Sequence, residues 1–263
     1  GVFAHPDPII FEKKANFSMT SAGRPTINLS GRASNTVIFE DTVSFTLNVP
    51  DRFSYVYVRG STFFKKPVYV TTIGCNFATG VTAGEVSPPP TGIVEFEDDL
   101  YLNLKEVGII TLGASAEVAT LFKSSANIRW FGDKYKAGNI HFSNVTFEPS
   151  EVPIEIYVQP DSLPTFNKSY VHLWGGRTFH RPVHIRTDYI EVDHSVFAKE
   201  ASFSFQGPSG TAHVPWPYYS WNGAHQSRGG NFFQKTVVFR NQTGRKRKIA
   251  KMQPDNYLES ERF

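Results

Sequence analysis

The chain has 263 residues, 27 Lys and Arg against 24 Asp and Glu, and a net charge of +3. That length buries a substantial core, and the near-balance of charge excludes a global electrostatic pull toward nucleic acid. The single cysteine, Cys75, excludes an intrachain disulfide framework and a cysteine-based zinc site.

Phenylalanine is abundant at 23 and tyrosine adds 11, which with many Val, Ile and Thr favours strands. No apolar run reaches the roughly 20 residues that span a bilayer. The chain opens at Gly1 rather than at Met. The expectation is a mature chain, secreted or displayed at a cell surface, with its leader removed.

In chain order, one short phrase keeps returning: a phenylalanine, three mostly polar residues, then an alternating apolar pair. It occurs at Phe11-EKK-Ala15-x-Phe17, Phe39-EDT-Val43-x-Phe45, Phe64-KKP-Val68-x-Val70 and Phe96-EDD-Leu100-x-Leu102. It continues at Phe122-KSS-Ala126-x-Ile128, Phe179-HRP-Val183-x-Ile185, Phe197-AKE-Ala201-x-Phe203 and Phe233-QKT-Val237-x-Phe239. Looser copies start at Phe142 and Phe166. The steps between clear copies are 28, 25, 32, 26, 57, 18 and 36 residues, so the unit is reused with loops of variable length. The apolar pair alternates as the inward face of a strand does. The polar triplet between phenylalanine and pair then reads as an exposed corner joining two strands. Further alternating runs, such as Tyr55-x-Tyr57, Ile154-x-Ile156-x-Val158 and Ile190-x-Val192, predict strands nearly everywhere. Ala114–Ala126 is the one predicted helix, with Val118, Leu121 and Phe122 on one side.

Strand, corner and strand repeated along residues 9–240 resembles right-handed parallel β-helices of bacterial surface proteins, phage tailspikes and polysaccharide-cleaving enzymes. The resemblance is one of architecture. It implies an all-β, right-handed parallel β-helix (a β-solenoid) with a loop-rich C-terminal part. One coil is expected per 18 residues or so, with the 36-residue step counted as two coils. An antiparallel β-sandwich is the alternative that the same alternation allows. One β-rich domain is expected over 1–240, followed by a basic tail over 241–263 that carries Arg245, Lys246, Arg247, Lys248 and Lys251.

Three groups carry candidate chemistry. His184, Arg186 and Asp188 share the outer face of a strand whose inner face is Val183 and Ile185, so they follow one another about 7 Å apart. Such a set binds an anionic sugar, coordinates a metal or serves acid–base work; the plain reading is the solvated face of an amphipathic strand. Glu95, Glu97, Asp98 and Asp99 form an acidic group read either as a carboxylate pair or as a charged corner. Trp216, Tyr218, Tyr219, Trp221 and Asn222 crowd a proline-flanked loop and read as a sugar-stacking platform or as a cap over the core. No catalytic, metal or cofactor motif is present, and Cys75 reads as a small buried residue.

The reading is a secreted or surface-exposed binding or adhesion module for a carbohydrate or a protein receptor, with no nucleic acid, no membrane span and self-assembly left open. A polysaccharide-cleaving enzyme on the same scaffold is one alternative. A structural subunit of a viral or phage particle is another.

Overall fold

The computed structural model describes residues 8–20, 23, 25–29, 36–49, 54–80, 92–104, 109–114, 118–132, 139–157, 170–173, 178–187, 189–192, 195–205, 232–241 and 257–258. Within them the chain is all β, wound into coils of three strands. Coil 1 is β1 (Ile9–Phe11), β2 (Ala15–Thr20) and β3 (Thr26–Leu29). Coil 2 is β4 (Val37–Phe39), β5 (Val43–Asn48) and β6 (Tyr55–Val58), and coil 3 is β7 (Thr62–Phe64), β8 (Val68–Ile73) and β9 (Asn76–Thr79). Coil 4 is β10 (Gly92–Phe96), β11 (Leu100–Leu104) and β12 (Ile109–Leu112). Coil 5 is β13 (Val118–Phe122), β14 (Ile128–Gly132) and β15 (Asn139–Phe142). Coil 6 is β16 (Val145–Phe147), β17 (Ile154–Tyr157) and β18 (Tyr170–Leu173), and coil 7 is β19 (Thr178–Phe179), β20 (Val183–Thr187) and β21 (Tyr189–Val192). Two strands are described in coil 8, β22 (Val196–Phe197) and β23 (Ala201–Phe205), and two in coil 9, β24 (Phe232–Phe233) and β25 (Val237–Asn241). A last strand, β26 (Tyr257–Leu258), pairs with β24 and so brings part of the expected tail onto the solenoid.

Equivalent strands stack coil on coil into three faces. Face one runs β1-β4-β7-β10-β13-β16 and resumes as β19-β22-β24-β26. Face two runs β2-β5-β8-β11-β14 and resumes as β17-β20-β23-β25. Face three is unbroken from β3 to β21. All described pairings are parallel, as in Phe11↔Phe39, Phe96↔Phe122 and Ile185↔Phe203. This is the parallel β-helix, consistent with the right-handed form, and the antiparallel sandwich is excluded.

The repeated phrase is the corner between faces one and two. Its phenylalanines stack inside at 4.7, 5.2, 5.0 and 4.7 Å from Phe11 through Phe39, Phe64 and Phe96 to Phe122. All but Phe11 in that run are fully buried. Phe179 and Phe197 are also buried and stack at 5.0 Å, while the side chain of Phe233 lies outside the described residues. From Phe11 to Phe147, and again from Phe179 to Phe233, each corner is tied to the next by a backbone bond to a phenylalanine carbonyl, as in Lys65 N–H to Phe39 O at 3.0 Å.

Several expectations are corrected. Phe147, buried and stacked on Phe122 at 4.9 Å, is a further corner phenylalanine between Phe122 and Phe179. Its corner, Glu148–Pro153, is longer and holds two prolines, so the phrase is disguised. The looser copies differ in place: Phe142 ends β15 on face three, and Phe166 lies outside the described residues. The coils take from 18 to 36 residues rather than a constant 18: the first six take 25–32, and coil 7 alone takes 18 with all three of its strands, so loop length sets the difference. The 36-residue step from Phe197 to Phe233 is one coil, since the two residues are direct partners. Within Ala114–Ala126 the structure holds strand β13 instead of a helix, with Val118, Thr120 and Phe122 inward. Ile128, not Ala126, aligns with Leu100, so the corner of coil 5 is two residues longer than the phrase suggests.

The long corner of coil 6 also explains the break in faces one and two. Phe147 and Phe179 are 6.3 Å apart and tilted by 33°, where other neighbours are nearly parallel. Arg181 fills the gap. It is fully buried; Nε donates to Val152 O at 3.0 Å and Nη1 to Ala126 O at 2.8 Å, and the guanidinium sits 5.9 Å from the Phe147 ring centre. Elsewhere the coils approach so closely that only glycine fits: Gly113 has φ +67, and a Cβ there would collide with the Asn144 carbonyl.

Candidate functional site

The outward positions of face two form one row that crosses coils. β8, β11 and β14 align Tyr69, Tyr101 and Arg129. β17, β20, β23 and β25 align Glu155, His184, Ser202 and Val238. The two halves meet in an ion pair, Arg129 Nη1 to Glu155 Oε2 at 2.6 Å. A second outward row on the later coils pairs Arg186 with Ser204. The row positions follow from alternation, since Val183, Ile185, Ala201 and Phe203 take the buried places between them.

Between coils 6 and 9 this surface sinks into a depression of about 570 Å³. Glu155, His184 and Arg186 line one side of it, with Ser202, Ser204 and Thr236 on the other and Glu200 at the corner. His184 is exposed and Arg186 half-buried. The coils repeat about every 4.8 Å, and outward residues within a strand about every 7 Å. The floor is therefore a grid of hydroxyl, imidazole, guanidinium and carboxylate groups above an apolar layer. Such a grid matches the donors and acceptors that ring a sugar.

His184 and Arg186 are thus brought together as expected. Asp188 lies outside the described residues, as do Trp216, Tyr218, Tyr219, Trp221 and Asn222. The row missed by sequence reading was Glu155, Glu200, Ser202, Ser204 and Thr236. The signal for Ser202 was available: it stands five residues after Phe197, as His184 stands five after Phe179.

The acidic group at 95–99 resolves into a paired corner. Glu95 lies 3.4 Å from Lys123 Nζ. Asp98 accepts from the Asp99 N–H at 2.7 Å. Asp99 accepts from the Asn127 N–H at 2.7 Å and from Arg129 Nε at 3.1 Å, with the Tyr101 hydroxyl at 3.4 Å. Burial works to lower the Arg129 pKa, but Asp99 and Glu155 outweigh it and hold the guanidinium above its ordinary value. Tyr101 is raised, first by burial and then by Asp99. These carboxylates serve the corner and do not line the depression. Cys75 is fully buried, its Sγ donates to Ser54 O at 3.1 Å, and burial pushes its thiol up to about 11, so at neutral pH it is protonated and a poor nucleophile. Among the described residues no group of three or more His, Cys, Asp or Glu is placed to hold a metal ion, and no helix is long and apolar enough to cross a membrane. Comparison with protein-family models, with curated proteins and with solved structures found no match.

Proposed function

We propose that the chain is a secreted or surface-exposed binding module whose face two, between coils 6 and 9, holds a carbohydrate chain. The observation that carries this reading is the depression in which His184, Arg186, Ser202, Ser204 and Thr236 converge from successive coils. Strands fixed in register hold the backbone beneath these groups, so only their side chains are ordered at the moment of binding. Sugars present hydroxyls at closely spaced intervals, and a floor repeating about every 4.8 Å meets them one coil at a time. A glycan array with the purified chain tests this, followed by calorimetry on any retained sugar. Arg186→Ala should then weaken binding by about 1.5–3 kcal/mol, the scale of a charged hydrogen bond. A retained glycan whose affinity is untouched by Arg186→Ala and His184→Ala would move the site elsewhere.

A second reading is favoured by one observation. Glu155 and Glu200 line the same depression, and two carboxylates flanking a sugar are the machinery of glycoside hydrolysis. Release of reducing ends from a bound polysaccharide, lost in Glu200→Gln, would support the enzyme. Retention of intact ligand over long incubation would leave the binding module.

A further inference from the structure

Coil 1 differs from every later coil. Its three strands end their faces together, and among the described residues nothing pairs with their outer edges. Ile9 and Phe11 direct backbone groups at coil 2, through Ile9 N–H to Thr36 O and Glu40 N–H to Phe11 O, both at 2.9 Å. In a parallel ladder the residue between them faces the other way. The N–H and C=O of Ile10 therefore point away from coil 2, where no described strand pairs with them. Ile9 and Ile10 are 47% and 50% exposed. Phe11, Ala15, Phe17 and Ile27 are only partly buried against the core. The stretch from Ile10 to Phe17 lines a shallow depression of about 510 Å³. An open ladder edge beside uncovered apolar rungs is a template for an added strand.

The corner charges say which strand fits. Taken coil by coil after each corner phenylalanine, Glu12-Lys13-Lys14 is net positive and Glu40-Asp41 negative. Lys65-Lys66 is positive, Glu97-Asp98-Asp99 negative, Lys123 positive, and Glu148 with Glu151 negative. The sign alternates through six coils. Ion pairs cross the steps, Lys65 to Glu40 and Lys123 to Glu148, each at 2.9 Å. Each such pair is weak alone. A like-signed corner in the same place sets two or three equal charges about 4.8 Å apart and is rejected. By that rule the corner that stacks on coil 1 from its open side is acidic.

We propose that the coil 1 end is a strand-addition surface for an extended polypeptide of strand, acidic bend and strand, which pairs in parallel with β1 and β2. The proposal is independent of the sugar-binding reading, because it uses the edge of coil 1 and not the depression between coils 6 and 9.

The test uses a labelled peptide of this chain's own residues 92–104, whose bend is Glu97-Asp98-Asp99, titrated onto the intact chain by fluorescence anisotropy. A second peptide carries Lys at those three positions. The acidic peptide should bind saturably, at least about tenfold more tightly than the basic one, and more weakly as salt rises. Lys13→Glu with Lys14→Glu in the chain should invert that preference. Both lysines are exposed, so circular dichroism should stay unchanged and separate loss of binding from loss of fold, while the acidic corner now set beside Glu40-Asp41 should lower the melting temperature slightly. Absence of binding, equal affinity for both peptides, or a preference unmoved by the Lys13 and Lys14 reversal overturns the proposal. So does self-association of the chain that excess acidic peptide fails to displace. Arg186→Ala should leave peptide binding intact, so failure here and failure of the sugar reading are told apart.

Discussion

The solenoid stacks aromatic rings both inside and outside. Phe96 and Phe122 stack at 4.7 Å and 8°; Tyr69 and Tyr101 stack at 4.7 Å and 11°. The geometries are nearly the same because both are imposed by parallel, in-register coils about 4.8 Å apart. The surroundings are not the same. Phe96 and Phe122 are fully buried, whereas Tyr69 is 42% exposed. Stacking distance therefore says that the coils are in register. Burial says which stack holds the fold together.

The largest effect expected from that difference is at Phe96. It touches stacked rings on both sides, Phe64 at 5.0 Å and Phe122 at 4.7 Å. Phe96→Ala opens a cavity in the middle of the ladder and should cost about 3–5 kcal/mol in denaturant melts. A loss below about 1 kcal/mol would mean that the ladder does not carry the core. Phe179 tests the comparison at the break. It stacks well only on Phe197, meets Phe147 at a tilt, and is 5% exposed. Phe179→Ala should cost less than Phe96→Ala, near about 3 kcal/mol. An equal or larger loss would show that Arg181 and the long corner make that region as tightly packed as the centre.

The inside stack was legible in the sequence, and its exceptions show where reading by pattern stops. Phenylalanine, corner and apolar pair repeat because each coil must turn between the same two faces. The corner at Phe147 was hidden by the Glu148–Pro153 insertion, which is held by side chains from other coils: Arg181 donates to Val152 O and the Asn127 amide to Pro153 O. Strand β13 was misread because Thr120 occupies an inward place. Its hydroxyl is satisfied by Thr79 at 2.8 Å, a partner 41 residues away. Alternation marks the faces of one strand but says nothing of which polar residue a distant coil will satisfy. The site was legible to the same depth. His184 and Arg186 follow from local alternation, while Glu155, Ser202 and Thr236 join them only through register across coils.

A smaller effect is expected from His141 on face three. It stands outward on β15, between buried Ile140 and Phe142, and burial lowers its pKa from the ordinary 6.5. The neutral form is thus favoured in the folded chain. As pH falls through about 6.5 the unfolded chain takes up a proton that the folded chain resists, so stability drops, and it levels off below the folded pKa. Melting temperature measured from pH 7.5 down to 5 should show this loss, and His141→Gln should flatten it. An unchanged slope in the variant would assign the acid sensitivity to other groups.

The smallest effect is expected at Tyr69, and it is the sharpest check of the comparison. Tyr69→Ala removes a ring that stacks as closely as any inside, yet leaves no cavity, because water already reaches it. Aromatic pairing alone contributes about 0.5–1.5 kcal/mol beyond burial, and solvent on one side reduces it. The expected loss is therefore below about 1 kcal/mol, several times smaller than at Phe96. If the two losses prove equal, stacking rather than burial stabilises the coils, and the outer row becomes part of the scaffold. If Tyr69→Ala leaves stability intact but weakens a sugar found on the array, the binding track extends along face two from the depression to coil 3.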